Sequence, residues 1–390
     1  MGRAFTLMLP TFLGDARVQL VAGFDPRSSA RKAFKDALGG QAYSTEEEVC
    51  ADANVEWIYI ATPHQLHASH VALAAAHGKH ILVEKPLAIT LEDGKRMLDV
   101  CNRAGVHLLV GHSHSFNGPV IHARQLIEAG AFGRVRMIEA LQYTDFLYRP
   151  RRPEELDTTQ GGGVVFSQAA HQVDIVRLLG GGLVESVRAH LGRWDAMRPT
   201  EGAYAALLRF QDKAFASLSY NGYGCFDSDR WMDDTGEMGQ PKPPDTPTGT
   251  RARLGQVADE VAEAALKSER NFGGTAFSMP TVRQPVAFQH FGPVIVSCDK
   301  ADLRLTPTGI EVIDAHRRHL LNTPLPPAPR SEVIDEIWRV ARQDQRPLHD
   351  GQWALATLEV CLAMLTSDAK GCDVQLSYQV ASSPITNGRS

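Results

Sequence analysis

The chain reads as an α/β protein in two parts: a doubly wound parallel sheet, then an α+β segment built on a large, mostly antiparallel sheet. Three observations predict this. Near the amino end, short apolar runs stop abruptly at polar or turn residues, as buried parallel strands do. Stretches of mixed charged and apolar periodicity separate those runs, so strands and helices alternate. Around Asn117-Gly118-Pro119 the alternation ends, and strand-like runs follow with few helices between them. The boundary is placed there, with a first domain over residues 1–118 and a second over 119–390.

Thr6 to Leu13 reads as a helix with Pro10 inside it. Val18 to Asp25 is an apolar strand ending in an acid, residues 28–38 and 44–52 read as helices, and Val55 to Pro63 is a second strand. Residues 65–77, rich in Ala and His, form the next helix. Ile81, Leu82 and Val83 then run into Glu84-Lys85-Pro86, the most informative stretch of the chain. Pro86 cannot continue a ladder, so Glu84 and Lys85 stand at the strand's carboxyl end, the edge where open α/β sheets bind ligands. A lysine there hydrogen-bonds a substrate hydroxyl. With its pKa depressed by burial or a nearby cation, it accepts the proton while hydride leaves the same carbon. A solvated Glu-Lys pair is the alternative reading of the tripeptide alone. A helix over 91–104 and the strand His107 to His112 complete the first part.

Val120 to Glu128 is a long helix leading into the second part. Its strand-like runs are Val135 to Tyr143, Val184 to Leu191, Ala203 to Phe210, Ala214 to Tyr220, Val294 to Cys298 and Leu303 to Leu305. Gln240 to Thr250 reads as a Pro-rich loop and Arg251 to Lys267 as one amphipathic helix. No internal repeat is evident.

The parallel sheet's first strand is missing from this pattern. In a dinucleotide-binding unit a Gly-x-Gly-x-x-Gly turn joins the first strand to the first helix, and an acid roughly 20 residues on holds the ribose hydroxyls. Gly2 to Asp25 has that spacing, which makes Gly2 the second glycine and puts Phe5 at the third position. The expectation is a reading frame started too late, with the sheet lacking a central strand and part of its pyrophosphate cradle.

At 390 residues and 43% apolar content, the chain is long enough for two cores. A formal charge of −5 gives no basic field for nucleic acid. No apolar run approaches the roughly 18 residues of a membrane span, and no signal pattern opens the chain, so a cytoplasmic protein without a membrane partner is expected. Cys50, Cys101, Cys225, Cys298, Cys361 and Cys372 form no CxxC pair and are expected as reduced thiols packed as small hydrophobes. His64, His67 and His70, or His112 with His114, have metal-like spacing. Nothing supplies cysteines or paired carboxylates nearby, so no metal is expected.

Taken together, four marks resemble the glucose-fructose oxidoreductase/inositol dehydrogenase family of nicotinamide-dependent enzymes. They are Ala61-Thr62-Pro63-His64 with His67; Glu84-Lys85-Pro86; Gly161-Gly162-Gly163 followed by His171 and Asp174; and the closing Glu359-Val360-Cys361-Leu362-Ala363 helix. The resemblance covers nearly the whole chain. It implies a Rossmann-like domain and a second domain whose open sheet often builds an oligomer interface, so a homodimer or homotetramer is expected. It makes Lys85 the catalytic lysine, with Glu84 and Pro86 shaping its loop against the nicotinamide. Gly2-Arg3-Ala4, Asp25 and the Thr62-Pro63 turn would hold NAD, with His64 and His67 lining the nicotinamide site. Asp25 favours NAD over NADP because a carboxylate repels a 2'-phosphate, while Arg27 leaves NADP open.

Three departures stand out. The family commonly has Asn at the position of His64. It usually has Asp-x-x-x-His, with the His as acid/base and the Asp as its helper, where this chain has Ser167-Gln168-Ala169-Ala170-His171. An Arg-rich stretch commonly stands at His114 and Ser115, so the pocket wall carrying His112 and His114 is chemically altered. Cations occur elsewhere: Arg149, Arg151 and Arg152 around Pro150, and Arg230 beside Trp231. Arginines suit bidentate carboxylate recognition. The detailed sequence, including Gly2-Arg3-Ala4-Phe5 and Gln168-Ala169-Ala170-His171-Gln172-Val173-Asp174, is similar to the branch of the family that oxidises phthalate 4,5-cis-dihydrodiol. That branch implies an anionic cyclic diol as substrate, oxidised with NAD to 4,5-dihydroxyphthalate, with Lys85 taking the hydroxyl proton and His171 positioning the second hydroxyl. Aromatisation of the product would let a weaker proton relay at Ser167 suffice. A sugar or inositol dehydrogenase is the alternative on the same fold, and a non-catalytic NAD-binding regulator, against which Lys85 argues, is the other.

Overall fold

The computed structural model describes residues 1–111, 114–243 and 249–385; His112 lies outside them, as does part of the Pro-rich loop. Helix α1 (Arg3–Gly14) buries Phe5, Met8, Leu9 and Phe12. Strand β1 (Ala22–Phe24) pairs in parallel with β2 (Gln41–Tyr43), a strand the sequence did not announce. Strands β3 (Trp57–Ile60), β4 (His80–Glu84) and β5 (Leu108–Gly111) pair in parallel in that order. Between the strands run α2 (Ser28–Leu38), α3 (Glu46–Ala51), α4 (His67–Ala76) and α5 (Leu91–Ala104). Their starts follow local chemistry: Thr45 and Glu48 form a reciprocal capping box on α3, and Thr90 accepts from the Asp93 amide on α5.

The two parallel sheets do not join. Between them is a cavity of about 440 Å³, walled by Val18, Leu20 and Val21 on one side and Trp57, Ile58 and Tyr59 on the other. Among the described residues the Trp57 indole nitrogen is buried there without a hydrogen-bond partner. The split falls between the strands that would flank a first strand in the doubly wound order. It also explains why the expected strand over Val18 to Asp25 is only three residues long: β2 offers it a three-residue ladder and the other edge has no neighbour.

The second part is a nine-stranded sheet in the order β13-β12-β11-β10-β6-β9-β8-β7-β14. In chain order these are β6 (Val135–Tyr143), β7 (Val184–Gly192), β8 (Ala203–Phe210), β9 (Phe215–Asn221), β10 (Val294–Cys298), β11 (Ala301–Thr306), β12 (Gly309–Asp314), β13 (Arg318–Asn322) and β14 (Val374–Gln375). All neighbours are antiparallel except β6 and β9. Helices α6 (Gly118–Glu128), α7 (Ala170–Leu179) and α11 (Gly351–Lys370) bury one face through Val120, Val173, Val176, Val360 and Met364 against Ile138, Val187, Leu218 and Val296. On the other face Leu207, Phe215, Ile295, Ile313 and Leu320 are exposed. The single helix expected over Arg251 to Lys267 is instead two, α8 (Thr250–Leu254) and α9 (Glu260–Glu269), because Gly255 closes one and the Asp259 side chain caps the next.

Helices late in the chain complete the first domain's core. Val333, Ile334 and Val340 of α10 (Ser331–Gln343) pack with Leu9, Phe12 and Leu82, and Ala354, Leu355 and Leu358 of α11 pack with Leu87, Met97 and Leu108. Among the described residues no helix is long and apolar enough to cross a membrane. All six thiols are free, but Cys225 and Cys372 are exposed, which corrects the expectation of packed thiols. Cys372 directly follows Gly371, where α11 has already ended.

Candidate active site

The apolar run of β4 delivers Glu84 and Lys85 to the carboxyl edge of the sheet. Glu84 accepts a 2.6 Å hydrogen bond from the Tyr59 hydroxyl, so the ends of β3 and β4 are tied. Lys85 Nζ donates to the backbone carbonyl of Ser167, which brings the two domains together at this point. Burial pushes the lysine pKa down to about 8, with Arg330 and Arg151 adding to the fall and Glu84 and Glu237 opposing it.

Ser167 does not sit on a regular α-helical turn below His171, as its spacing predicts. Val165–Ala169 is a π-helical turn leading into α7, and the Ser167 hydroxyl is directed to the Gly163 carbonyl. His171 is 8% exposed and meets His114 edge-on, ring centroids 4.6 Å apart. Phe291 packs against both imidazoles, at 5.4 Å from His114 and 5.3 Å from His171. Burial pushes His114 down to about 3, so its ring is neutral at ordinary pH. Asp174, one of the marks of the resemblance, is structural: it accepts from Trp353 and Thr357 and ties α7 to α11.

His64 and His67 take different positions. The His64 ring contacts the Gly161 carbonyl at 2.9 Å, again across the two domains, and burial pushes its pKa to about 3. Gly161 has φ +81°, and a Cβ there would lie 2.4 Å from Ile89, so only glycine brings its carbonyl so close. His67 is fully buried, with ring nitrogens 3.0 Å from the Pro86 carbonyl and 3.1 Å from that of Thr62. The ring lies between the turns after β3 and β4 and donates its one N–H to one of these two carbonyls, a correction to the expectation that it faces the nicotinamide.

The residues expected at the cofactor are Gly2, Arg3, Ala4, Asp25 and the Thr62-Pro63 turn. Gly2 precedes α1, whose first turn has neither an acidic residue nor a side-chain cap, and a Cβ at Gly2 would meet nothing within 4 Å. Free amides there, beside Ala4 and the Arg3 guanidinium, suit a pyrophosphate. Asp25, 3% exposed at the end of β1, accepts from the Arg27 amide at 2.9 Å and from its guanidinium at 3.0 Å, and also from the Met1 amine. Burial works to raise its pKa, but Arg27 and the amine outweigh it and hold the carboxyl below the usual range. A buried, ionised acceptor at this place fits a ribose diol, and with Thr62, Pro63 and the Lys85 loop the set fits a dinucleotide.

Of the expected arginines, Arg149 reaches Glu237 at 3.4 Å, while Arg151 stacks on Phe146 at 3.8 Å and donates to its carbonyl at 2.7 Å. Arg230 is exposed on the Ser228–Trp231 turn. Among the described residues no three His, Cys, Asp or Glu side chains gather as a metal site.

The sequence reading missed Glu237, Arg330 and the partners of Ser115. Glu237 comes from the long excursion between β9 and β10 and places one oxygen 3.8 Å from His114 Nε2. Arg330 precedes α10 with φ 62°, is 7% exposed and donates to Gln289 at 2.8 Å. Ser115 contacts His349 at 2.9 Å, and His349 contacts Glu336 at 3.0 Å, all buried. Nothing local distinguishes these residues from solvated polar ones; only the tertiary fold gathers them.

Comparison with known proteins agrees with this geometry. Residues 1–112 match the family described as "Oxidoreductase family, NAD-binding Rossmann fold", and residues 120–240 match the "GFO/IDH/MocA C-terminal domain". The chain is 46% identical over 368 residues to the 1-carboxy-3-chloro-3,4-dihydroxycyclohexa-1,5-diene dehydrogenase of Comamonas testosteroni, covering 94% of this chain and 92% of that one. It is 30% identical over 173 residues to the scyllo-inositol 2-dehydrogenase (NAD(+)) of Bacillus subtilis (strain 168), 44% of this chain and 49% of that one. A crystal structure from Bordetella bronchiseptica RB50, described as a dehydrogenase, superposes with a TM-score of 0.88 at 39% identity, covering 95% of this chain and 96% of that one. With both domains matched and a relative this similar along almost all of its length, the chain belongs to the GFO/IDH/MocA family of oxidoreductases, and its first domain is an NAD-binding Rossmann domain.

Proposed function

We propose that this protein oxidises a carboxylated cyclic cis-dihydrodiol with NAD+, with 4,5-dihydro-4,5-dihydroxyphthalate going to 4,5-dihydroxyphthalate as the specific reaction. The observation that carries the reading is a lysine at the carboxyl edge of the Rossmann sheet, lowered by burial to about 8, with Arg330 and Arg151 acting on it in the same direction. The diene-diol named for the Comamonas testosteroni relative, itself a carboxylated cyclic diol, supports the substrate class.

NAD+, when bound, accepts the hydride. Lys85 in its neutral form takes the proton of the hydroxyl on the same carbon: the O–H and C–H bonds break as C=O and N–H bonds form. His171 holds the second hydroxyl. Arg149, Arg151 and Arg330 receive the carboxylates, which orients the ring over Lys85. The enone leaves as its catechol tautomer, and aromatisation supplies a driving force that a polyol oxidation lacks.

We also propose that the apolar outer face of the nine-stranded sheet packs against a second copy of the chain, giving a dimer or a tetramer. Sedimentation of the wild type beside a Leu207→Lys, Phe215→Lys variant tests this; a monomeric wild type overturns it.

The deciding assay follows NADH formation with a chemically prepared phthalate dihydrodiol, the same diol without carboxylates, and a panel of inositols and hexoses. Turnover of the carboxylated diol at a kcat/KM at least tenfold above the others is expected. Preference for an inositol or hexose replaces the reading with a polyol dehydrogenase, and no NADH from any of them removes the enzyme reading.

A further inference from the structure

Ser167 brings no carboxylate to the imidazole of His171, and its hydroxyl is occupied by the Gly163 carbonyl. A carboxylate does reach this part of the cleft, from elsewhere in the chain. Glu237 divides its two oxygens: Oε2 lies 3.4 Å from Arg149 and Oε1 lies 3.8 Å from Nε2 of His114. The second distance exceeds a hydrogen bond and is the loose geometry that catalytic pairs take before substrate closes the site.

The consequence lies in the tautomer. A neutral imidazole carries one N–H, and the partner of one nitrogen decides which. A carboxylate facing Nε2 places the proton there, which leaves Nδ1 as an acceptor. Among the described residues Nδ1 of His114 is buried without a hydrogen-bond partner. It belongs to a ring that is 1% exposed and edge-on to His171.

We infer that Glu237 is a positioning residue that fixes His114 with its proton on Nε2, so that Nδ1 accepts a hydrogen bond from the diol beside His171. The inference rests on the dehydrogenase reading of the cleft. It puts the orienting carboxylate on the excursion between β9 and β10 rather than on the helix that carries His171. Glu237 is held in the ionised form that this role requires. Burial works to raise its pKa, but the charge and hydrogen bond of Arg149 work against it, and the carboxyl stays below its usual range. Arg330, Lys85 and Arg3 also face it with positive charge. Simple neutralisation of Arg149 is the competing account, and it predicts no effect on His114.

The test has two arms. Imidazole nitrogen NMR shifts of the full-length protein, with no substrate present, should show His114 protonated at Nε2, and Glu237→Gln should lose that preference while Glu237→Asp keeps it. A wild-type His114 protonated at Nδ1 overturns the inference without any need for a variant. In the kinetic arm, on whichever diol the wild type oxidises, Glu237→Gln should lower kcat about tenfold or more with the KM for NAD unchanged. Adding His114→Phe to that variant should cost little further, because the two residues act as one unit. A Glu237→Gln enzyme that keeps kcat and changes only the KM of carboxylated substrates assigns Glu237 to Arg149 alone and overturns the inference. Absence of turnover in the wild type sinks the dehydrogenase reading instead, and leaves the tautomer measurement standing on its own.

Discussion

Tyr59 donates its hydroxyl to Glu84 at 2.6 Å, a bond between the carboxyl ends of two adjacent parallel strands. It holds a carboxylate directly beside Lys85. The lysine's basicity is therefore a balance, lowered by burial and by Arg330 and Arg151, raised by Glu84 and Glu237.

That balance sets a pH profile. Lys85 acts as a base only when neutral, and its pKa is lowered from 10.5 to about 8. kcat/KM is expected to climb about tenfold per pH unit below that value and to level off above it. Arg330→Met removes a cation that lowers the pKa and should move the rising limb to higher pH. A profile flat from pH 6 to about 9 would return Lys85 to a solvated pair.

Lys85→Met keeps much of the volume and removes the acceptor, so kcat should fall by about 10²-fold or more with NAD binding little changed. His171→Asn keeps some hydrogen bonding and should cost less. Saturating NAD and steady-state rates decide both.

Asp25→Ala removes the buried acceptor proposed for the ribose and should raise the KM for NAD about tenfold or more, in line with a lost hydrogen bond to a charged group. Isothermal titration with NAD provides the check, and an unchanged affinity rules out the assignment.

The cavity between the two parallel sheets makes a prediction about stability. Met1 borders it and sits at the carboxyl end of β1 through Asp25, so a short apolar strand fused ahead of Met1 would enter it parallel to both walls. Burial of its side chains and pairing of both edges should raise Tm, at about 2–4 °C per kcal/mol gained, and a Gly turn completing the α1 cradle should raise NAD affinity. Calorimetry of the fused and unfused proteins tests this, and an equal Tm refutes it.

Acid stability should depend on Glu336. Burial works to raise its pKa, but His349 outweighs it and the folded carboxyl titrates below its usual value. A depressed carboxyl contributes stability that is complete above its unfolded pKa of about 4.3 and is lost as pH falls through the folded value. Glu336→Gln should lower stability at neutral pH and flatten the acid limb, read by urea unfolding across pH.

The sequence announced what local rules control. Ile81 to Val83 followed by Pro86 read as a buried strand ending at Glu84 and Lys85, which is where the structure ends it. The family marks carried the rest of the architecture. Strands β12 and β13 escaped notice because charged residues interrupt their apolar positions as in a loop, as the exposed Arg318 and buried Glu311 illustrate. Arg330 and Glu237 escaped because their burial comes from contacts far along the chain, and His67 was misplaced because spacing alone cannot say which ring faces a cleft and which spans two turns.

The split sheet gives the two ends of the proposed cofactor site unequal support. Asp25 is carried by a two-stranded ribbon of three-residue strands, the kind of unit whose amides exchange by local opening, whereas Lys85 follows a strand paired on both sides. Hydrogen exchange should therefore be fast at Ala22 to Phe24 and slow at Ile81 to Val83. With the ribose at Asp25 as proposed, NAD would spend part of its binding energy ordering its own adenosine end, and its affinity would include a term for local folding that the nicotinamide end does not share.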